Sequence, residues 1–141
     1  MQFSRNNSYR DYFRSRFGVG DIIENYDFYE FGHGVWAYTG TYLEVNRIEV
    51  MGIRALRVKK VYKPTTAFLR VIGRYATKNV VKLDEKEALK FMQGEKVEGV
   101  CGATRGYVVV KRDDDVLGCG LCAGSLISQI PRKYRVEKTW L

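Results

Sequence analysis

Three cysteines and one histidine are the residues whose types could support metal or redox chemistry. Cys119 and Cys122 form a Cys-Gly-Leu-Cys sequence, Cys101 lies upstream, and His33 is the only histidine. A closed zinc site needs four ligands, so all four side chains would have to meet. Side chains three positions apart on a strand point to opposite faces, and no helix is expected to begin at Cys119, where a redox pair would need one. We therefore interpret the thiols as small buried hydrophobic groups and regard a thiol-dependent enzyme as the weaker alternative.

Other patterns that could do chemistry are incomplete. The acidic triplet at 113–115 lacks the glycine and the distal Glu of a calcium loop and is typical of a polar turn. Three Gly-x-Gly sequences, at 18–20, 32–34 and 118–120, lack the third glycine and the strand-to-helix setting of a dinucleotide loop. A nucleophilic triad would depend on His33, for which a turn is expected. We predict a binding protein that is not an enzyme and uses no cofactor or metal.

Charge is the strongest functional signal in the chain. The 141 residues carry a net charge of +8, and the pI is near 9.5, which favours a polyanionic partner because neutralised phosphates release counterions. Residues 51–82 hold nine Lys and Arg and no acid, whereas residues 18–50 hold one Arg and six acids. Tyr62, Phe68 and Tyr75 are interleaved with these bases, which suits phosphate contact together with base stacking.

The elements that must position these residues begin with a short helix. Tyr and Phe recur at helical spacing over residues 8–17, and a brief helical turn is expected at 21–24. Aromatic-rich segments at 27–31 and 35–39 flank a glycine-containing turn at 32–34, which predicts a β-hairpin. The N-terminal part is therefore expected to mix helix and strand.

The middle of the chain is predicted to be mainly strand. Residues 43–50 are ambiguous between helix and strand, and residues 53–62 and 67–72 have the composition of strands. The segment 63–66 separates them, because its proline removes a ladder donor. A further short strand is expected at 80–83.

One helix and a hairpin follow. Asp84 with Glu87 three residues later forms a capping-box pattern, and Gly94 provides a helix stop. Apolar runs at 106–111 and 116–122 predict two strands joined by a polar turn. Short strands with one helix indicate a half-closed barrel, and the candidate boundary before it lies near residues 76–79.

Four segments of the C-terminal part occur in an informative order. Residues 80–94 (VVKLDEKEALKFMQG) give strand, helix and glycine, followed by GYVVVK at 106–111 and D-x-V-L-G-x-G at 114–120. Residues 128–135 (SQIPRKYR) complete the series. In this order the segments resemble a PUA domain, the pseudo-barrel of RNA-modifying enzymes and ribosome-assembly factors. The last segment resembles the basic ending of the RNA-binding extension on Fmu/Sun-type RNA 5-methylcytosine methyltransferases.

The N-terminal part resembles, in its order of elements, the pre-PUA domain of small Nip-type ribosome-biogenesis proteins. The resemblance implies an α+β protein in which a mixed α/β domain at 1–77 precedes a PUA-like β pseudo-barrel with one helix at 78–141. The methyltransferase catalytic domain is not represented, since neither Pro64 nor Pro131 precedes a cysteine. The chain therefore corresponds to the RNA-binding half of such a system.

The resemblance also implies which residues contact RNA. Arg132, Lys133 and Arg135 match the basic ending, and Gly118 and Gly120 would let an RNA backbone approach their strand. Charge alone adds six further bases as RNA-binding candidates: Lys59, Lys60, Lys63, Arg70, Arg74 and Lys78. We expect these two basic groups to lie on one continuous face.

The expected function is that of a stand-alone RNA-binding protein acting on structured ribosomal or transfer RNA during modification or ribosome assembly. Tyr75 and Tyr134 are candidates for base stacking. We expect a cytoplasmic protein, because the chain has no apolar run long enough to cross a membrane. The alternative is a docking subunit for a separate RNA methyltransferase or assembly protein. Its contact surface would be the aromatic N-terminal region: Tyr9, Tyr12, Phe13, Tyr26, Phe28 and Tyr29.

Overall fold

The computed structural model describes residues 7–39 and 52–137, where the chain forms three α-helices and two four-stranded sheets. The helices are α1 (Asn7–Phe17), α2 (Thr66–Ile72) and α3 (Glu85–Met92). The first sheet contains β1 (Asp27–Phe31), β2 (Gly34–Tyr38), β3 (Ile53–Val58) and β4 (Tyr62–Pro64). The second contains β5 (Val80–Lys82), β6 (Gly106–Arg112), β7 (Asp115–Ala123) and β8 (Ser125–Ser128). The predicted α+β class is confirmed.

The first sheet is antiparallel throughout, with the strands in chain order. The predicted first helix and the β1–β2 hairpin are confirmed, and a 3-10 helix occupies Gly20–Asn25. The strand predicted at 53–62 is confirmed over β3 but ends at Val58, because the chain turns back there; the predicted separator at 63–66 is wrong for its first two residues, which belong to β4. The apolar alternation ends at Val58, and the two lysines that follow could not both face solvent from a half-buried strand. The ambiguous segment 43–50 lies outside the described residues.

The strand predicted at 67–72 is also wrong, because this segment is α2. The Thr65 side chain accepts a hydrogen bond from the Phe68 N–H at 3.2 Å and caps the helix. Phe68, Leu69 and Ile72 recur at helical spacing and are fully buried. Helical packing of this face against the first core therefore outweighs the strand preference of the β-branched residues near its end.

The second sheet has β5 parallel to β6, and its other strand pairs are antiparallel. The predicted capping box of α3 is confirmed: Asp84 accepts from the Glu87 N–H at 2.8 Å, and Glu87 accepts from the Asp84 N–H at 3.0 Å. The predicted β6–β7 hairpin is confirmed, whereas the sequence did not indicate β8. Gly94 follows α3 in a left-handed conformation with φ +84°.

The second sheet lies between two hydrophobic clusters. Val109 and Cys119 pack with the cluster formed by α1, α2 and the first sheet, whereas Val108, Val110 and Cys122 face the cluster beneath α3. Cys119 and Cys122 therefore point to opposite faces, as their spacing predicts. The N-terminal elements cover one face of this sheet. The division into domains at 1–77 and 78–141 stays a prediction.

The cysteines are not all simple apolar side chains. Cys101 and Cys122 form a disulfide with their Cα atoms 5.9 Å apart, which no pattern in the sequence indicated. Cys119 is free, and burial raises the pKa of its thiol to about 12. Within residues 7–39 and 52–137, no group of three or more His, Cys, Asp or Glu could hold a metal ion. No described helix has the length and apolarity that a membrane crossing requires.

Candidate nucleic-acid interface

A groove of about 710 Å³ runs between the first sheet and the chain that follows β8. One wall comes from β2, β3, β4 and the start of α2. The other wall comes from residues 128–135, which include a 3-10 helix at Arg132–Tyr134. Six cations from both walls line this basic groove, and no acidic residue among those described does: Arg54, Arg57, Lys63, Arg132, Lys133 and Arg135.

Two of these cations face each other directly. Arg57 on β3 and Lys63 on β4 are cross-strand partners in the antiparallel register, so their side chains lie on the same face. Like charges at such positions destabilise a sheet. Neither side chain forms an ion pair within the described part of the chain. The arrangement therefore leaves concentrated positive charge available to an external anion.

The second wall is fixed at both ends. Ile130 is buried in the cluster beneath α3, and the Val136 N–H donates to the Met92 carbonyl at 2.9 Å. The Arg135 Nε donates to the Ile130 carbonyl at 3.0 Å, and the side chain packs over Gly94. Arg135 therefore helps to hold the segment in place, while Arg132 and Lys133 are exposed to solvent.

Arg54 is the groove cation whose unpartnered nitrogen is buried. Its Nε is the buried side-chain nitrogen or oxygen without a hydrogen-bond partner in the described residues. The absence of a side chain at Gly34 makes room for the guanidinium, because a Cβ there would lie 2.5 Å from Nε. Buried polar atoms are nearly always hydrogen-bonded, so this donor is suited to an acceptor from a ligand.

A smaller depression of about 230 Å³ adjoins the groove. It shares Arg57 and Lys63 with the groove and adds Lys59 from the turn between β3 and β4, together with Tyr107 from β6. The positive surface thus extends from the 132–135 segment to Lys59.

The sequence that forms this second wall and its sheet matches a known family model. Residues 78–136 match the family model described as the methyltransferase RsmF PUA domain. This part of the chain is a PUA domain. No curated protein is similar enough to the chain to count as a match. The resemblance to the C-terminal extension of Fmu/Sun-type methyltransferases is confirmed, and the PUA domain supports RNA as a partner.

The PUA domain thus supplies one wall of the basic groove and the N-terminal elements supply the other. The predicted continuity of the two basic groups holds for Lys63 and Lys59 with Arg132, Lys133 and Arg135. Arg70 is exposed one helical turn beyond Ala67 at the groove, but its Nε donates to the Leu117 carbonyl at 2.9 Å.

Three other predicted cations are exposed but do not line the groove. Lys60 lies on the turn after β3, Arg74 lies against the Tyr75 ring at 5.2 Å from its centroid, and Lys78 follows the 3-10 helix at Gly73–Tyr75. Their assignment to RNA binding stays a prediction.

Gly118 and Gly120 do not present open backbone in this structure. Both are buried in β7. A Cβ at Gly118 would lie 2.8 Å from the Thr66 side chain, and one at Gly120 would lie 2.5 Å from that of Leu126. The glycines permit close packing of α2 and β8 on β7. We therefore correct the expectation that they admit an RNA backbone, because protein side chains occupy that space.

The aromatic residues also separate into two groups. Tyr134 is exposed and lines the groove, with the Lys133 Nζ 5.0 Å from its ring centroid, whereas Tyr75 is exposed outside it. The expectation that the N-terminal aromatic residues form a docking surface is wrong, because none of them is exposed. Four are buried in the fold, namely Tyr9, Phe13, Phe28 and Tyr29, and two are half-buried, namely Tyr12 and Tyr26.

Two cations and one tryptophan of the groove were missing from the predicted site. Arg54 and Arg57 belong to the acid-free stretch but are not among the predicted RNA-binding residues. Trp36 is predicted only as part of the hairpin. The alternation of β2 could have identified Trp36, since Val35 and Ala37 are buried on the opposite face. The approach of residues 132–135 to this face had no signal in the sequence.

Proposed function

We propose that this protein is a stand-alone RNA-binding protein that holds structured ribosomal or transfer RNA in the basic groove during RNA modification or ribosome assembly. The observation that carries the proposal is the set of six cations around a groove without described acidic residues, one wall of which belongs to a PUA domain. Phosphate neutralisation supplies the affinity, and the shape of the groove selects folded RNA.

We further propose that the protein acts without catalysis of its own and in the cytoplasm. Burial keeps the free Cys119 thiol protonated at neutral pH, which removes it as a nucleophile. The disulfide lies in the cluster beneath α3 and does not line the groove. Reduction of this disulfide in a reducing compartment would therefore leave the residues that line the groove unchanged. A methyltransferase or assembly protein as a second partner stays a prediction.

The test is a filter-binding titration of transfer RNA and ribosomal RNA fragments over a range of salt concentrations. Four to six phosphate contacts give a slope of log affinity against log salt of about −3 to −5. The triple variant Arg57→Gln, Lys63→Gln, Arg132→Gln should lower the affinity about 100-fold at 0.15 M salt and make the slope shallower by about 3.

The matched control removes the same charge elsewhere. The variant Lys60→Gln, Arg74→Gln, Lys78→Gln keeps the groove lining intact and should weaken binding only a few-fold, through long-range electrostatics. A flat salt dependence of the unmodified protein contradicts RNA binding. Equal losses in the two triple variants would mean that Lys60, Arg74 and Lys78 contribute as much as the groove cations, so that the groove does not by itself determine affinity.

A further inference from the structure

The indole of Trp36 is a large aromatic surface inside a strongly positive groove. Trp36 lies near the middle of β2, is half-buried, and lines the groove together with the cations of both walls. An aromatic residue at the outward face of a sheet is usually covered by neighbouring elements or used for contact with a ligand. Among the described residues, the groove lies open beside it.

Trp36 has a directly opposed neighbour on each adjacent strand. In the register of the first sheet it stands between Tyr29 on β1, which is buried, and Arg54 on β3. Directly opposed residues on adjacent strands have Cβ atoms about 5 Å apart, so both side chains lie within reach of the indole. A preorganised ring loses little entropy when a flat ligand stacks on it.

Arg54 adds a directed polar group beside this ring. Its buried Nε lacks an acceptor, and Gly34 leaves the space that the guanidinium needs. Nucleotide bases and phosphates both offer oxygen acceptors for such a donor. An aromatic surface, a directed donor and surrounding cations are the three groups that recognise an unpaired nucleotide.

We propose that the basic groove binds an unpaired nucleotide of the RNA, from a loop or a bulge, by stacking its base on Trp36 while Arg54 donates to it and the flanking phosphates contact the groove cations. This inference rests on the proposed function, because it requires that RNA enters the groove. A fully paired A-form helix keeps its base faces covered, so it cannot make this contact.

Fluorescence of Trp36 provides a direct readout. The chain contains two tryptophans, so Trp140→Phe leaves Trp36 as the only one. The probes are an RNA hairpin with an unpaired loop and a fully paired RNA duplex of the same length. Stacking should quench Trp36 fluorescence with the hairpin and not with the duplex.

Substitution separates stacking from charge. Trp36→Leu in the otherwise unmodified chain should weaken hairpin binding about tenfold and leave duplex binding and the salt slope unchanged, whereas Trp36→Phe should retain most of the affinity. Tyr75→Leu removes an exposed aromatic side chain outside the groove and should change neither the hairpin affinity nor the duplex affinity. Circular dichroism checks that each variant is folded. If Trp36→Leu does not fold, the fluorescence experiment still tests the stacking.

The outcomes distinguish the two proposals. If neither probe binds with a steep salt dependence, the proposed function is wrong. If both bind with that salt dependence but the hairpin does not quench Trp36, the stacking inference is wrong and RNA binding stands. Equal losses for hairpin and duplex in Trp36→Leu would likewise show that Trp36 only shapes the groove.

Discussion

The arginines of α1 and the cations of the basic groove carry the same charge in opposite settings. Arg10 donates to the Tyr26 carbonyl and pairs with Asp27 at 2.9 Å, and Arg14 pairs with Glu24. Arg16 donates to the carbonyls of Tyr107 and Arg105 at 2.7 Å. All three arginines are therefore used within the fold.

Four of the six groove cations have no comparable partner among the described residues, whereas Arg135 donates to the Ile130 carbonyl. Arg57, Lys63, Arg132 and Lys133 form no ion pair with any described residue, and Arg57 stands opposite Lys63. The difference follows the local charge balance, since residues 18–50 supply acids to α1 and residues 51–82 contain none. A basic residue indicates an external anion only when its own fold leaves it unpaired.

The largest effect on stability should come from Arg16, which joins α1 to the second sheet. Arg16→Gln removes charged hydrogen bonds to two backbone carbonyls and should lower the free energy of unfolding by about 2 kcal/mol. RNA affinity of the folded protein should change less than about twofold, because Arg16 does not line the groove. Urea denaturation and filter binding measure the two quantities.

Arg14→Gln is the matched control within α1. Its ion pair with Glu24 is exposed, so its removal should cost less than about 1 kcal/mol. If Arg16→Gln lowers the free energy of unfolding no more than Arg14→Gln does, the carbonyl contacts do not hold α1 on the second sheet. Arg16 would then have no structural role that distinguishes it from the groove cations.

Substitution of Lys63 should have effects opposite to those of Arg16→Gln: a higher free energy of unfolding and a lower RNA affinity. Lys63→Gln relieves the repulsion with Arg57 and should raise the free energy of unfolding by about 0.2 to 1 kcal/mol. RNA affinity at 0.15 M salt should fall about fivefold, with the salt slope shallower by about 1. The same two measurements apply. A destabilised Lys63→Gln protein would show that this lysine has a structural role like that of Arg16.

The effect that is smallest at neutral pH concerns Cys119, because its thiol is then protonated in both the native and the unfolded chain; a groove cation also influences this buried group. Burial raises the pKa of its thiol from 9.0 to about 12, while the charge of Lys63 acts in the opposite direction. Above pH 9 the unfolded chain loses this proton and the native state keeps it. The free energy of unfolding should therefore fall between pH 9 and 12, by at most about 1.4 kcal/mol per pH unit from this group.

Cys119→Ala isolates the contribution of the thiol. Burial also raises the pKa values of Tyr9 and Tyr12, so the parent protein has more than one group acting in this direction. Urea denaturation at pH 8, 9 and 10 should give a shallower pH dependence for the variant than for the parent. Identical slopes would indicate that the thiol ionises equally in both states.

Local signals predicted the elements that local chemistry specifies. The capping box of α3 and the two hairpins were identified because their caps, turns and alternation lie within a few residues. The segment that becomes α2 was misassigned although its Thr65 cap is a local signal, because its helical form also depends on burial of one face in the tertiary structure. The site was partly identified: Lys63, Arg132 and Lys133 were predicted, but Trp36 and Arg54 were not.

The sequence by itself determined the charge distribution, the α+β class and the PUA character of the C-terminal part, because composition, periodicity and motif order are local properties. Only the tertiary structure decided which cations remain unpaired. It also placed Cys101 beside Cys122 and covered Gly118 with Thr66. Such contacts join residues far apart in the chain, and their energies depend on packing that no local pattern records.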